Sequence, residues 1–280
     1  MLIESIWKTT RLFVPLQLYP LLSPLYRWRR RRHLRRLKAA DKVYMAAHPG
    51  ALIPSAELRY NVVGPCTIEQ FLSSGEMTVA DIEAALGTAG GSLAQVWELL
   101  DFGCGCGRLL IALRGRWPGL RTTGCDVDER GILWCQQHLK DGTCVVNGAL
   151  PPSPFQDEAF DLIWCGSVFT HLDENRQDQW LAEMKRILKP GGFLLASVHG
   201  PHCWEPRLPS WTIATLKRKG MIFARLGADS GIHPSWYQVA WHTEEYIRRH
   251  WGQTFEVRGY KERGLNDYQD VVIAQKRSRQ

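Results

Sequence analysis

Val96-Trp97-Glu98-Leu99-Leu100-Asp101-Phe102-Gly103-Cys104-Gly105-Cys106-Gly107-Arg108 decides how this chain is read. The apolar run from Val96 to Phe102 predicts a buried strand, of the kind that parallel sheets covered on both faces require. Gly103, Gly105 and Gly107 end it, and a helical pattern begins at once with Arg108-Leu-Leu-Ile-Ala-Leu. Strand, glycine turn and helix together expose bare backbone at a helix N-terminus, where a ligand can approach closely. Ordinary turns also use glycine, so the loop needs a second sign. Asp126 supplies it by closing the next segment, Arg121-Thr-Thr-Gly-Cys-Asp. An acid at a second strand tip is placed to accept ribose hydroxyls. The two features predict a nucleoside-containing cofactor.

Outward from this stretch, strand and helix patterns alternate, which implies right-handed crossovers and a parallel sheet. A helix about Gly131 to Leu139 precedes a short strand, Thr143 to Val146, that ends at Asn147-Gly148. A proline-rich loop from Leu150 to Asp157 leads to a fourth strand, Phe160 to Cys165. The spacing predicts a helix from Asn175 to Leu188, stopped by Pro190-Gly191-Gly192, and a fifth strand from Phe193 to Val198. Residues 201–242 lose this regularity and carry Trp204, Trp211, Trp236, Tyr237 and Trp241. An irregular insertion at that point reads as a substrate-covering lid, with Trp236 and Tyr237 expected against the acceptor. A helix capped by Thr243 and two strands, Phe255 to Tyr260 and Asp270 to Gln275, close the pattern. Upstream, residues 41–93 read as a helical entry segment with a helix over Val79 to Leu86. Its Arg59 and Tyr60 either fold over the cofactor pocket or pack the surface.

The chain has 280 residues, enough for one large α/β domain with additions. Its net charge of +7 is unevenly placed. Arg27, Arg29 to Arg32, Arg35, Arg36 and Lys38 are eight positive charges with no acid among them, and without them the chain stands at −1. The basic character therefore belongs to a tail, residues 1–40, rather than to the body. Residues 1–26 mix apolar and aromatic positions with Pro15, Pro20 and Pro24 and are interrupted by Lys8 and Arg11, so no run of about 18 apolar residues predicts a membrane-spanning helix. The basic block follows the apolar part, the wrong order for a secretory signal. Apolar side chains followed by a polybasic run suit an anionic membrane surface; the competing reading is a tail packed on the body with a solvated charged helix after it. Nucleic-acid contact is the weakest of the three readings. Eight cysteines without C-x-x-C spacing predict reduced thiols and a cytoplasmic protein, peripheral on the inner membrane face if the tail binds lipid. Cys104-x-Cys106 lies inside the glycine loop and reads as packing, so no metal is expected.

Asp101-Phe-Gly-Cys-Gly-Cys-Gly107 departs from the G-x-G-x-x-G of dinucleotide enzymes. It resembles the D/E-x-G-x-G-x-G loop of class I S-adenosylmethionine-dependent methyltransferases. The resemblance covers about residues 94–275. Gly124-Cys-Asp126, Pro154-Phe-Gln-Asp-Glu-Ala-Phe-Asp161 and Glu183-Met-Lys-Arg-Ile-Leu-Lys-Pro-Gly-Gly192 also resemble that family's small-molecule branch. Ser167-Val-Phe-Thr-His-Leu172 and Ser197-Val-His-Gly200 are similar to bacterial members that often accompany glycosyltransferases. The resemblance implies a Rossmann-like α/β fold with a seven-stranded, mostly parallel sheet whose last strand is antiparallel. It implies S-adenosylmethionine as cofactor. Asp101, Gly103, Gly105 and Gly107 would then line its methionine side and Asp126 would hold the ribose. Asn147, Gly148 and Ala149 would touch adenine, although an acid is commoner there, and Cys165 and Gly166 would offer backbone to the methionine amino group.

Methyl transfer from a sulfonium rests mainly on alignment of nucleophile, methyl and sulfur. A hydroxyl acceptor must also lose a proton, which suits a histidine. His171 follows the fourth strand and His199 the fifth, at the edge where the cofactor is expected; each also suits a structural hydrogen bond, and His242 is a third choice. Cys165-Gly-Ser-Val168 is not the Asn/Asp-Pro-Pro-aromatic motif of nucleic-acid N-methyltransferases, and no acidic trio suggests a metal-dependent catechol enzyme. The expected activity is O-methylation of a small molecule or glycan. N-methylation and a non-catalytic scaffold are the alternatives.

Overall fold

Alternate residues of each central strand face opposite layers of helices, and both layers are apolar. Leu99, Leu162, Leu195 and Ile273 pack with Val79, Ile82 and Leu109 on one side. Leu100, Ile163, Leu194 and Val272 pack with Trp180, Leu181, Met184 and Ile247 on the other. This is why these strands read as unbroken apolar runs. The structure is a computed structural model, and it describes residues 19–117, 119–224 and 238–278.

The strands are β1 (Glu98–Phe102), β2 (Arg121–Asp126), β3 (Thr143–Val146), β4 (Phe160–Cys165), β5 (Leu188–Val198), β6 (Met221–Ala224), β7 (Val239–His242), β8 (Glu256–Leu265) and β9 (Gln269–Gln275). The helices are α1 (Tyr19–Ala47), α2 (Ala56–Val63), α3 (Ile68–Thr88), α4 (Arg108–Leu113), α5 (Glu129–His138), α6 (Glu174–Ile187), α7 (Pro201–Trp204), α8 (Ser210–Lys219) and α9 (Glu244–His250). Seven strands form one sheet in the order β3-β2-β1-β4-β5-β9-β8. The first five are parallel, and β9 runs antiparallel between β5 and β8. The fold is thus the Rossmann-like α/β sheet expected, with the last strand antiparallel. The order reverses between β1 and β4, and a ligand of such a sheet lies at that switch point, outside the carboxyl ends of the strands. The glycine loop leaves β1 there.

Four elements differ from the sequence expectation, one of them β8, which runs on to Leu265 instead of ending at Tyr260. The predicted helix over Val79 to Leu86 is the last part of α3, which starts eleven residues earlier behind a capping box between Thr67 and Gln70. β5 begins at Leu188 instead of Phe193, because Lys189-Pro-Gly-Gly192 is carried as a bulge between the pairs Phe160↔Leu188 and Leu162↔Phe193. Residues 201–242, expected to be irregular, contain α7, α8 and an antiparallel β6–β7 pair. Trp204 and Trp241 close over Leu216 as the insertion's own small core, so local burial ordered what looked patternless. Among the described residues no helix is long and apolar enough to cross a membrane.

The two motif stretches that flank β4 and β5 serve the architecture. Asp161 accepts the β1 backbone N–H of Glu98 at 2.8 Å and an ion pair from Lys189 at 2.8 Å. Arg186 donates to Asp157 at 2.6 Å and to the Phe155 carbonyl at 2.9 Å. They tie α6 and the strand ends together beneath the site.

Candidate functional site at the carboxyl edge of the sheet

Gly103, Gly105 and Gly107 have φ of +83°, +57° and +80°, the left-handed region where a side chain is strained. The loop they form is held from below by Asp126. One carboxylate oxygen accepts the Gly105 N–H at 2.8 Å and the other the Asp128 N–H at 2.8 Å. A carboxylate offers about four lone-pair sites, so two remain for the ribose hydroxyls. Burial raises the Asp126 pKa, opposed by these two N–H donors. Helix α5 approaches so closely that a Cβ on Gly131 would lie 2.4 Å from the Gly105 carbonyl oxygen.

Asn147 sits beside Asp126, its N–H donating to the Asp126 carbonyl at 2.9 Å. Its side chain is buried, and its Oδ1 is an acceptor without a partner. A buried orphaned acceptor is costly unless a ligand satisfies it. The 6-amino group of adenine is such a donor, so Asn147 suits this position although an acid is the commoner residue. Gly148 follows exposed and Ala149 half-buried. Asp101 is buried at the end of β1, and burial lifts its pKa to about 7 against the pull of Arg108, with Asp126 adding to the rise. Cys165 turns its thiol fully into the core, which leaves only backbone at Cys165 and Gly166 to meet a ligand. Burial pushes the Cys106 thiol up to about 12, so it is a neutral packing group in the loop. The residues present fit S-adenosylmethionine.

On the acceptor side, His171 and His199 come together with ring centroids 6.2 Å apart and planes at 83°. Nδ1 of His171 is 2.6 Å from the Gln238 carbonyl, and Nδ1 of His199 is 3.0 Å from the Ala240 carbonyl. A carbonyl only accepts, so each Nδ1 carries the proton and each Nε2 presents a lone pair. The segment at β7 thus sets the tautomer of both rings. His199 is further engaged: the Gln269 Nε2 lies 3.5 Å from its Nε2. Burial pushes the His199 pKa down to about 4. His242 is fully enclosed and pushed down to about 3 by burial, with its Nε2 against the Gln177 amide. It is a core residue and does not face the site.

Sequence reasoning missed Gln269, Ser167 and Ser197. The Gln269 Oε1 accepts from the Ser197 hydroxyl at 2.6 Å and from the Ser167 hydroxyl at 3.1 Å, which turns its amide nitrogen toward His199. Ser167 and Ser197 lie in the stretches that resemble glycosyltransferase-associated members, but nothing local connects either to a glutamine at the start of β9. Trp236 and Tyr237 lie outside the described residues. Of the other aromatic residues of the insertion, Trp204 and Trp241 are buried packing groups and Trp211 is exposed. Arg59 is buried and paired with Asp41 at 2.7 Å, and Tyr60 lies under Arg30; both belong to the α1–α2 contact.

Residues 100–196 match the family model described as "Methyltransferase domain". The chain is 28% identical over 155 residues to a fatty-acid O-methyltransferase of Mycolicibacterium smegmatis, covering 54% of this chain and 56% of that one. It is 36% identical over 141 residues to the biotin biosynthesis bifunctional protein BioHC of Teredinibacter turnerae, covering 46% and 24%. A solved structure, the Burkholderia thailandensis 1,6-didemethyltoxoflavin-N1-methyltransferase with S-adenosylhomocysteine, aligns with a TM-score of 0.49 at 17% identity, covering 71% of this chain and 80% of that one. The chain spans about half or less of the length of these curated relatives.

Proposed function

We propose that this protein, whose residues 100–196 match a methyltransferase-domain family model, is a class I S-adenosylmethionine-dependent methyltransferase that methylates an oxygen of a small molecule or glycan. The observation that carries the proposal is the pair His171 and His199, held as Nδ1–H tautomers after β4 and β5, the strands next in the sheet to β1 and its glycine loop. The fatty-acid O-methyltransferase among the relatives supports an oxygen acceptor. The likeness of Ser167 to Leu172 to glycosyltransferase-associated proteins supports a glycan as one acceptor class.

Bound S-adenosylmethionine supplies an activated methyl on a sulfonium. Asp101, Gly103, Gly105 and Gly107 hold its methionine side, Asp126 its ribose, and Asn147, Gly148 and Ala149 its adenine, while Cys165 and Gly166 give backbone to its amino group. His171 takes the acceptor proton at Nε2, and its bond to the Gln238 carbonyl keeps that nitrogen unprotonated and aimed. His199, with a pKa near 4 and Gln269 against its Nε2, is a poor base and a better hydrogen-bond partner to the acceptor or to His171. The protein acts in the cytoplasm, and its basic tail brings it to the inner face of an anionic membrane.

The test is a screen of hydroxylated sugars, glycolipid precursors, phenols and fatty acids with methyl-labelled donor. On whichever acceptor is methylated, His171→Ala should lower kcat on the order of 10²-fold or more with cofactor affinity unchanged. Full activity in that variant removes His171 as the base. A protein that binds the donor and methylates none of these classes is a scaffold.

A further inference from the structure

Helix α1 runs from Tyr19 to Ala47 and carries the whole basic block. At 100° per residue its inner face is Arg30, Leu34, Leu37 and Asp41, which are buried or half-buried against α2. Its outer face gathers Arg31, Arg32, Arg35, Arg36 and Lys42, all exposed. Arg31, Arg35, Arg36 and Lys42 form no ion pair with the described residues, unlike Lys38, which is paired with Glu57. Two apolar side chains share this outer face: Trp28 is 55% exposed and Val43 73%. A solvated charged helix needs neither. A helix with an exposed tryptophan among arginines lies well in the headgroup region of a bilayer.

The inner face leads to the cofactor loop. Arg30 donates to the Asn61 Oδ1 at 3.2 Å and covers the Tyr60 ring at 5.4 Å. Asn61 in turn helps to lower the Asp128 pKa, and the Asp128 N–H is held by Asp126 at 2.8 Å. The next residue, Val62, lies over the loop: a Cβ on Gly105 would stand 2.5 Å from its Cγ2. Basic helix, α2, glycine loop and ribose-binding acid form one continuous chain of contacts.

We propose that the outer face of α1 docks on an anionic phospholipid bilayer, and that docking tightens cofactor binding through Arg30, Asn61 and Val62. A surface that fixes α1 against α2 holds Val62 and Asn61 over the loop, so the two binding events reinforce each other by the same factor in both directions. The docking half deepens the membrane placement proposed above, and the coupling half rests on the cofactor reading.

Full-length protein is sedimented without cofactor in two series, with vesicles containing phosphatidylglycerol and with vesicles of phosphatidylcholine alone. Partitioning to the anionic vesicles alone is expected, and it should fall on the order of 100-fold in the variant with Arg31→Gln, Arg35→Gln, Arg36→Gln and Lys42→Gln. Equal partitioning to both vesicles, partitioning unaffected by the four substitutions, or tighter binding to duplex DNA than to the vesicles would overturn the docking surface. Calorimetry of S-adenosylmethionine then compares the protein with and without anionic vesicles. An affinity gain of about five-fold or more is expected, lost in Asn61→Ala while that variant still sediments. Cofactor binding that ignores the vesicles would overturn the coupling, whereas failure to bind cofactor in any condition would count against the methyltransferase reading and leave docking standing.

Discussion

Asn147 shows most sharply what a single residue adds to the site. Its buried Oδ1 lacks a partner, a penalty the protein carries until a donor arrives. Asn147→Ala removes the acceptor and should weaken S-adenosylmethionine binding about three- to ten-fold, as expected for one neutral hydrogen bond. Asn147→Asp keeps an acceptor and should retain most of the affinity. On the proposed placement of the ribose, Asp126→Ala would remove charge-assisted bonds to it as well as the Gly105 N–H contact, and should weaken binding at least about ten-fold. Calorimetry on the three variants decides the matter: equal affinity in all of them would move adenosine elsewhere.

At the scale of elements, the junction of α1 and α2 has one buried ion pair, beside the exposed pair Lys38–Glu57. Arg59 is 1% exposed, held by Asp41 at 2.7 Å and by the Pro54 carbonyl at 2.7 Å, while its Nε has no partner. Removing one member of a buried pair leaves an uncompensated charge, which costs about 3–5 kcal/mol. Asp41→Ala should therefore lower the unfolding free energy by about that amount in urea titration. A loss under about 1 kcal/mol would show that Arg59 is solvated when α1 is weakened. The α2 contact was not legible beforehand, because Asp41 and Arg59 are 18 residues apart and each is individually unremarkable in sequence. The strands and the glycine loop were legible, because apolar runs and left-handed turns are local requirements.

For the whole molecule, acid stability follows from three buried groups. His199 and His242 have folded pKa values of about 4 and about 3, below the usual 6.5 or so. The unfolded chain takes up two protons that the fold excludes, so the stability these residues contribute above about pH 6.5 is lost as pH falls toward 4. Asp101, at about 7, acts in the opposite sense: below pH 7 the fold holds a proton that the unfolded chain gives up. The two histidines outweigh Asp101, while burial also raises Asp126 and Asp270 in Asp101's sense, so stability falls toward acid with a slope of at most about 1.4 kcal/mol per pH unit between roughly pH 6 and 5. Urea midpoints across that range measure it. His242→Asn should flatten the curve, and an unaltered slope in that variant would show that His242 is already charged in the fold.

By itself, the sequence determined the parallel sheet, the glycine loop, Asp126 at the second strand tip and the two histidines at strand ends. Each of these depends on neighbours within a few residues: alternation, a φ above zero, an acid where a strand stops. Only the tertiary structure decided how the histidines are held. The carbonyls of Gln238 and Ala240, about 67 and 41 residues from their partners, fix both tautomers, and Gln269 arrives from the far end of the chain to occupy His199. Burial, which is a property of the packed whole, separated His199 and His242 from the range of a working base. It also turned Trp204 and Trp241 from an expected acceptor lid into a core of their own. Side chains brought together by strand order rather than by spacing leave no periodic trace in the chain, and that is where the reading of the sequence stopped.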